Sequence, residues 1–243
     1  MRVIYEPKGK AREYSPLALN LYIGCSNGCR YCYVPRYCRL KKEEFRNNTS
    51  VRKNILKKLE LDALELKIEK NKKPILMCFT CDPYQKAEKN NQITRKAIEI
   101  LNKNNQSFQI LTKNGNLAKR DFELYKQKDT YAVTLTFDNE TDSKSIEPKA
   151  DIPQDRINSL EEAHKLGIQT WVSLEPVIIP SQSLNLIDLT HEFVDLYKVG
   201  KLNHYPKTES KIDWREFGKR AINKLKGYNK EFYIKKDLRK YLE

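Results

Sequence analysis

A chain of 243 residues, 39% hydrophobic and 32% charged, has room for one large α/β domain or two small ones with a strongly charged surface. It has no run of about 18 apolar residues, which excludes a spanning helix. Its start, Met1-Arg2-Val3-Ile4-Tyr5-Glu6, lacks the apolar core of a signal peptide, so a cytoplasmic protein with no membrane partner is expected. The net charge of +14 admits a nucleic-acid partner, and the excess lies late: between 201 and 243, thirteen Lys or Arg stand against six Asp or Glu.

Residues 1–16, broken by Pro7, Gly9 and Pro16, read as an irregular lead-in. A first strand is predicted over 17–22, ending where a cysteine-rich loop begins. A long helix capped by Thr49 or Ser50 is predicted to about Asn71, because Val51, Ile55, Leu59, Ala63 and Leu66 recur every three or four residues. Further strands are predicted over 75–79, 107–111, 131–136, 169–174 and 195–199. Helices over 93–104, 117–127, 154–165 and 184–193 alternate with them, and 137–153 reads as a polar loop. The tail carries a helix over 214–225 and an apolar patch at Phe232-Tyr233-Ile234. No repeat, low-complexity segment or linker interrupts the chain. Six strands alternating with helices predict a parallel α/β sheet: a core over 17–200, the lead-in before it and a basic extension over 201–243 packed on it.

The chemistry gathers after strand ends. Gly24-Cys25-Ser26-Asn27-Gly28-Cys29-Arg30-Tyr31-Cys32-Tyr33 places three cysteines at C-x3-C-x2-C spacing. Soft thiolates suit an iron–sulfur cluster or zinc, and glycines let a tight loop wrap a bulky group. Three ligands on a four-iron cluster leave one iron open. The zinc alternative takes Cys38 as a fourth ligand, although structural zinc more often uses two separated pairs. With no secretory signal, cysteines so placed indicate metal binding in a reducing compartment rather than disulfides. Asp82, Lys113, Thr136 and Glu175 also follow strand ends, the edge where parallel α/β folds build their sites.

The cysteine loop resembles the cluster motif of the radical S-adenosylmethionine (SAM) enzymes. Thr80-Cys81-Asp82-Pro83-Tyr84-Gln85, Glu88, Thr94-Arg95, Leu111-Thr112-Lys113, Arg120-Asp121, Glu147-Pro148, Arg156 and Pro176-Val177-Ile178-Ile179-Pro180 are similar, in order, to motifs of the spore photoproduct lyase-like members. The resemblance covers about residues 17 to 200. It implies a partial (β/α)6 TIM-type barrel, a [4Fe-4S] cluster on Cys25, Cys29 and Cys32, and SAM cleaved to a 5′-deoxyadenosyl radical by an electron from an external one-electron reductant. By the same resemblance Tyr31 lies against the adenine, Asp82 meets the amino group of SAM, Lys113 contacts SAM, and Thr134 or Thr136 sits near the ribose. The repair lyases carry a hydrogen-donating cysteine just before the threonine of the second-strand motif; here that position is Phe79. Strand alternation turns Cys78 away from wherever Phe79 points, so Cys81, past the strand end, is the expected radical-quenching thiol. A lyase-like or modifying reaction on a nucleic acid or another macromolecule is therefore expected. The alternative is a non-catalytic, metal-stabilised nucleic-acid-binding protein.

Overall fold

The computed structural model describes residues 2–243. Short apolar runs rich in Ile, Val and Leu form a parallel sheet of β2 (Leu17–Leu19), β5 (Ile75–Met77), β6 (Phe108–Thr112), β7 (Thr130–Thr134), β8 (Gln169–Leu174) and β9 (Leu196–Val199), hydrogen-bonded in that order. These are the six predicted strands, and the expected α/β partial barrel holds. Two strands extend it. β1 (Ile4–Tyr5) pairs antiparallel with β2, and β10 (Glu231–Ile234) pairs parallel with β9. The patch at 232–234 is thus a sheet strand. A separate ribbon joins β3 (Tyr22–Ile23) to β4 (Ser50–Val51).

Successive strand residues face opposite sides of the sheet. On β7, Tyr131 and Val133 join the large core beneath the helices, whereas Ala132 joins a small inner core with Leu76 and Trp171, backed by Tyr14, Phe79, Leu111 and Leu196. Outer-face helices span Ile55–Ile68, Ile93–Lys103, Pro153–Lys165, Pro180–Thr190 and Trp214–Gly227. The first buries Ile55, Leu59, Ala63 and Leu66, each large side chain contributing roughly 2 kcal/mol. It starts at Ile55 and not at Thr49 or Ser50, because Ser50 and Val51 pair with β3 and Asn54 turns the chain at φ +56°. The helix predicted over 117–127 shrinks to Gly115–Ala118 and a 3-10 turn, Lys119–Leu124. The polar loop over 137–153 contains a helix, Glu140–Ile146, whose N-terminus Asn139 caps through the Asp142 amide. No helix of the described residues is long and apolar enough to cross a membrane.

Candidate active site

A cavity of about 1020 Å³ opens at the carboxyl ends of the strands. Cys25, Cys29 and Cys32 line one side of it; Tyr14, Ser173, Glu175 and Lys235 line another. Phe79, Thr80, Cys81 and Asp82 from the β5 end, Lys113 from β6 and Thr134 from β7 also line it.

The cysteine loop is held from several directions. Gly24 and Gly28 adopt φ of +76° and +73°, the left-handed region that favours glycine; a Cβ on Gly24 would lie 2.6 Å from the Phe45 carbonyl oxygen. The Cys25 amide donates to that carbonyl at 3.0 Å, and Arg46 donates to the Cys29 carbonyl at 3.1 Å. Gln85 accepts from the Ser26 amide and donates to the Gly24 carbonyl. Burial pushes all three thiols up from their usual range, Cys29 to about 12. Such thiols ionise only when a metal supplies compensating charge.

Asp82 is tied into the chain by both carboxylate oxygens. Its Oδ1 accepts from the Tyr84 amide at 2.9 Å and Thr112 Oγ1 at 2.6 Å. Its Oδ2 accepts from Asn27 Nδ2 at 3.1 Å and the Lys113 amide at 2.7 Å. Both oxygens are engaged by the chain itself, so the carboxylate buckles the cysteine loop to β6; its edge still borders the cavity. Beside it, Thr80 Oγ1 is buried without a partner, an unspent hydroxyl at the strand end where the amino group of SAM was expected.

Lys113 reaches over the Tyr31 ring at 5.6 Å from its centroid. Burial works against its ammonium, but the acidic groups of Cys29 and Glu147 outweigh burial and raise its pKa. The Tyr31 hydroxyl donates to Glu147 Oε1, which Thr136 Oγ1 also approaches at 3.3 Å. Glu147 in turn faces Arg156 at 2.6 Å, off the hydrogen-bond line, with both side chains at most 1% exposed. Burial opposes the carboxylate, yet Arg156 and then Lys113 hold its pKa below the ordinary value. Thr136 is fully buried and spent on this network; of the two candidate hydroxyls only Thr134 lines the cavity.

Cys78 packs in the large core and Phe79 against the small inner one, as strand alternation predicts, and both, with Cys81, still border the cavity. Cys38 is exposed at the rim, and His164 and His191 lie outside the cavity.

Sequence reasoning left Tyr14 and Lys235 unassigned. Glu175, which follows the end of β8, accepts from the Tyr14 hydroxyl at 2.6 Å and from Lys235 on the same oxygen; Ser173 Oγ lies 2.8 Å from Tyr14. Gly200 makes room, since a Cβ there would come within 2.7 Å of the Glu175 side chain. Lys235 follows directly on β10, so the strand-end rule would have found it had that strand been recognised. Tyr14 gives no such signal.

Among the described residues no three Cys, His, Asp or Glu side chains converge on one point as ligands of a single metal ion. Three soft thiolates on one glycine-built loop facing the cavity suit a four-iron cluster, which takes each thiolate at a different iron.

The family model described as Radical SAM superfamily matches residues 19–194. An uncharacterised protein of Methanocaldococcus jannaschii is 29% identical over 189 residues, 76% of this chain and 70% of its own. An uncharacterised protein of Mycobacterium tuberculosis is 26% identical over 170 residues, and this match takes in 66% of the chain but only 49% of that relative. Among solved structures, a cysteine-to-serine mutant of spore photoproduct lyase superposes with a TM-score of 0.74 at 13% identity, covering 94% of this chain and 78% of that one. A radical SAM methyltransferase from Sphaerobacter thermophilus gives 0.63 at 15% identity, over 90% and 65%.

Proposed function

Since the chain belongs to the radical SAM superfamily, we propose that its cavity binds a [4Fe-4S] cluster on Cys25, Cys29 and Cys32 with SAM beside it, and that the protein is an enzyme acting on a nucleic acid or another macromolecule. The observation that carries this reading is co-location. The three thiols, the unpartnered Thr80 hydroxyl, Lys113 and Thr134 share one cavity, although they come from four different strand ends.

When bound, the cluster and SAM would together supply an electron, taken from an external one-electron reductant, and a 5′-deoxyadenosyl radical. The chain's own residues position and enclose. Lys113, kept protonated, offers an ammonium to the SAM carboxylate; the Thr80 hydroxyl offers a partner to its amino group; Thr134 offers one to the ribose. Tyr31, fixed through Glu147 and Arg156, presents its ring to the same space. The substrate enters between this wall and the Tyr14–Glu175–Lys235 wall, where exclusion of water protects a radical. Cys81 is the thiol that quenches it.

The macromolecular substrate is supported at the cavity rim. Lys8, Lys10 and Arg52 line the mouth, and Tyr33 and Tyr37 beside it are 48% and 76% exposed. Cations interleaved with exposed rings suit a single strand bound by charge and stacking. In the tail, Trp214 is 4% exposed and packs inward, as an extension packed on the core would have it.

The test is anaerobic. Reconstituted protein should show the broad visible band of a cluster and form 5′-deoxyadenosine on addition of reductant and SAM, and Cys29→Ala should lose both. A tightly held zinc ion with no visible band and no deoxyadenosine would reject the enzyme reading in favour of a metal-stabilised binding protein.

A further inference from the structure

Two cysteines outside the cluster loop line the same cavity. Cys78 and Cys81 are 5% and 8% exposed and stand at C-x2-C spacing across the end of β5. The two side chains lie beside one another in the same core cluster. Both thiols are free. Both belong to the large core, yet both also look onto the space that Cys25, Cys29, Thr80 and Lys113 surround, which core packing alone does not require. Two neighbouring thiols differ from one in what they can deliver: a single thiol yields one hydrogen atom and is left a radical, whereas a pair yields two and closes into a stable bond.

We propose that Cys78 and Cys81 form a two-thiol hydrogen source for radicals generated in this cavity, ending as a Cys78–Cys81 disulfide that an external dithiol must reopen. The inference rests on the radical SAM reading of the site and goes beyond Cys81 alone. In the first event a carbon-centred radical takes the hydrogen atom of one thiol: one C–H bond forms, one S–H bond breaks, and a thiyl radical remains against the second sulfur. In the next event a second carbon radical takes the hydrogen of the other thiol, and the two sulfur-centred radicals couple. Two carbon radicals are reduced, two thiols are oxidised, and one S–S bond is made. A small or protein dithiol returns two electrons and two protons by thiol–disulfide exchange.

The 5′-deoxyadenosyl radical itself serves as the probe, so no substrate has to be known. The reconstituted enzyme is exchanged into D2O without added thiol, then given a one-electron reductant and SAM. Deuterium in 5′-deoxyadenosine, with about one Cys78–Cys81 disulfide mapped by mass spectrometry per two molecules formed, supports the pair. In the same holoprotein without SAM, glutathione disulfide is expected to close the identical bridge, and Cys78→Ser to block it in both experiments. Deuterium transfer that leaves both thiols free would reduce the site to a single donor and overturn the pair. Deoxyadenosine without deuterium and without disulfide would overturn it while leaving the radical SAM reading intact. A loaded cluster that forms no deoxyadenosine would sink that reading, and this inference with it.

Discussion

Replacing Arg156 by methionine should be the most damaging single change near the site that touches no ligand of the cluster. Arg156 is 1% exposed; it donates to the Thr134 carbonyl and the Asp151 carbonyl, both at 2.9 Å, and faces the buried Glu147 carboxylate at 2.6 Å. Removing it strands a charge that burial already opposes, at a cost of about 3–5 kcal/mol. In a chain of this size that corresponds to a fall in Tm of roughly 6–20 °C. Denaturant unfolding of wild type, Arg156→Met, Glu147→Gln and the double variant measures the coupling, and the double variant should recover most of the loss. The pH dependence should change sign as well. In wild type the folded carboxyl is held below its unfolded value, so its contribution is present above about pH 4.3 and is lost as pH falls through the folded pKa. Without Arg156 burial dominates and the folded pKa rises, so the variant should lose stability as pH climbs above that value. Additive single-variant losses, or an unchanged pH slope, would refute the account of this pair.

Three further outcomes are expected. Gly24→Ala meets both a positive φ and a 2.6 Å clash with the Phe45 carbonyl; it should cost about 1–2 kcal/mol and lower iron and sulfide content on reconstitution, and full cluster loading would contradict the strain argument. Lys198 is pushed down to about 8 by burial and then by Lys235; the unfolded chain binds more protons between there and about 10.4, so stability should rise with pH across that window in wild type but not in Lys198→Met. Thr80→Val removes a buried hydroxyl without a partner; the protein without SAM should be as stable or about 1 kcal/mol more so, while SAM affinity by equilibrium dialysis falls, and unchanged affinity would remove Thr80 from the SAM site.

What could be read in advance follows physical range. Most positions of the six strands are apolar and buried, and that burial is written locally as Ile75-Leu76-Met77 or Trp171-Val172-Ser173-Leu174. The cysteine loop declares itself through spacing and two glycines. By contrast, Ser50-Val51 carries helix periodicity and was claimed by a neighbouring strand, an outcome that only a tertiary partner decides. The partners that engage Asp82 and Thr136 lie as far as 55 and 105 residues away in sequence, at Asn27 and Tyr31, so no local pattern announces them. Tyr14 and Lys235 escaped notice because each is ordinary in its own neighbourhood and acquires meaning only beside Glu175.

That meeting at Glu175 also bears on how the molecule assembles. Tyr14 and Lys235 approach one carboxylate from opposite ends of the chain, and nearby the Lys236 amide donates to Glu13 across a sequence separation of 223 residues. Closing so long a loop costs entropy that the local β/α units do not incur. The clasp therefore carries a loop-closure cost that is met only with β10 docked beside β9. Until residues 231–236 have been synthesised and docked, the cavity lacks one wall, and a radical formed there would meet water before it met a substrate.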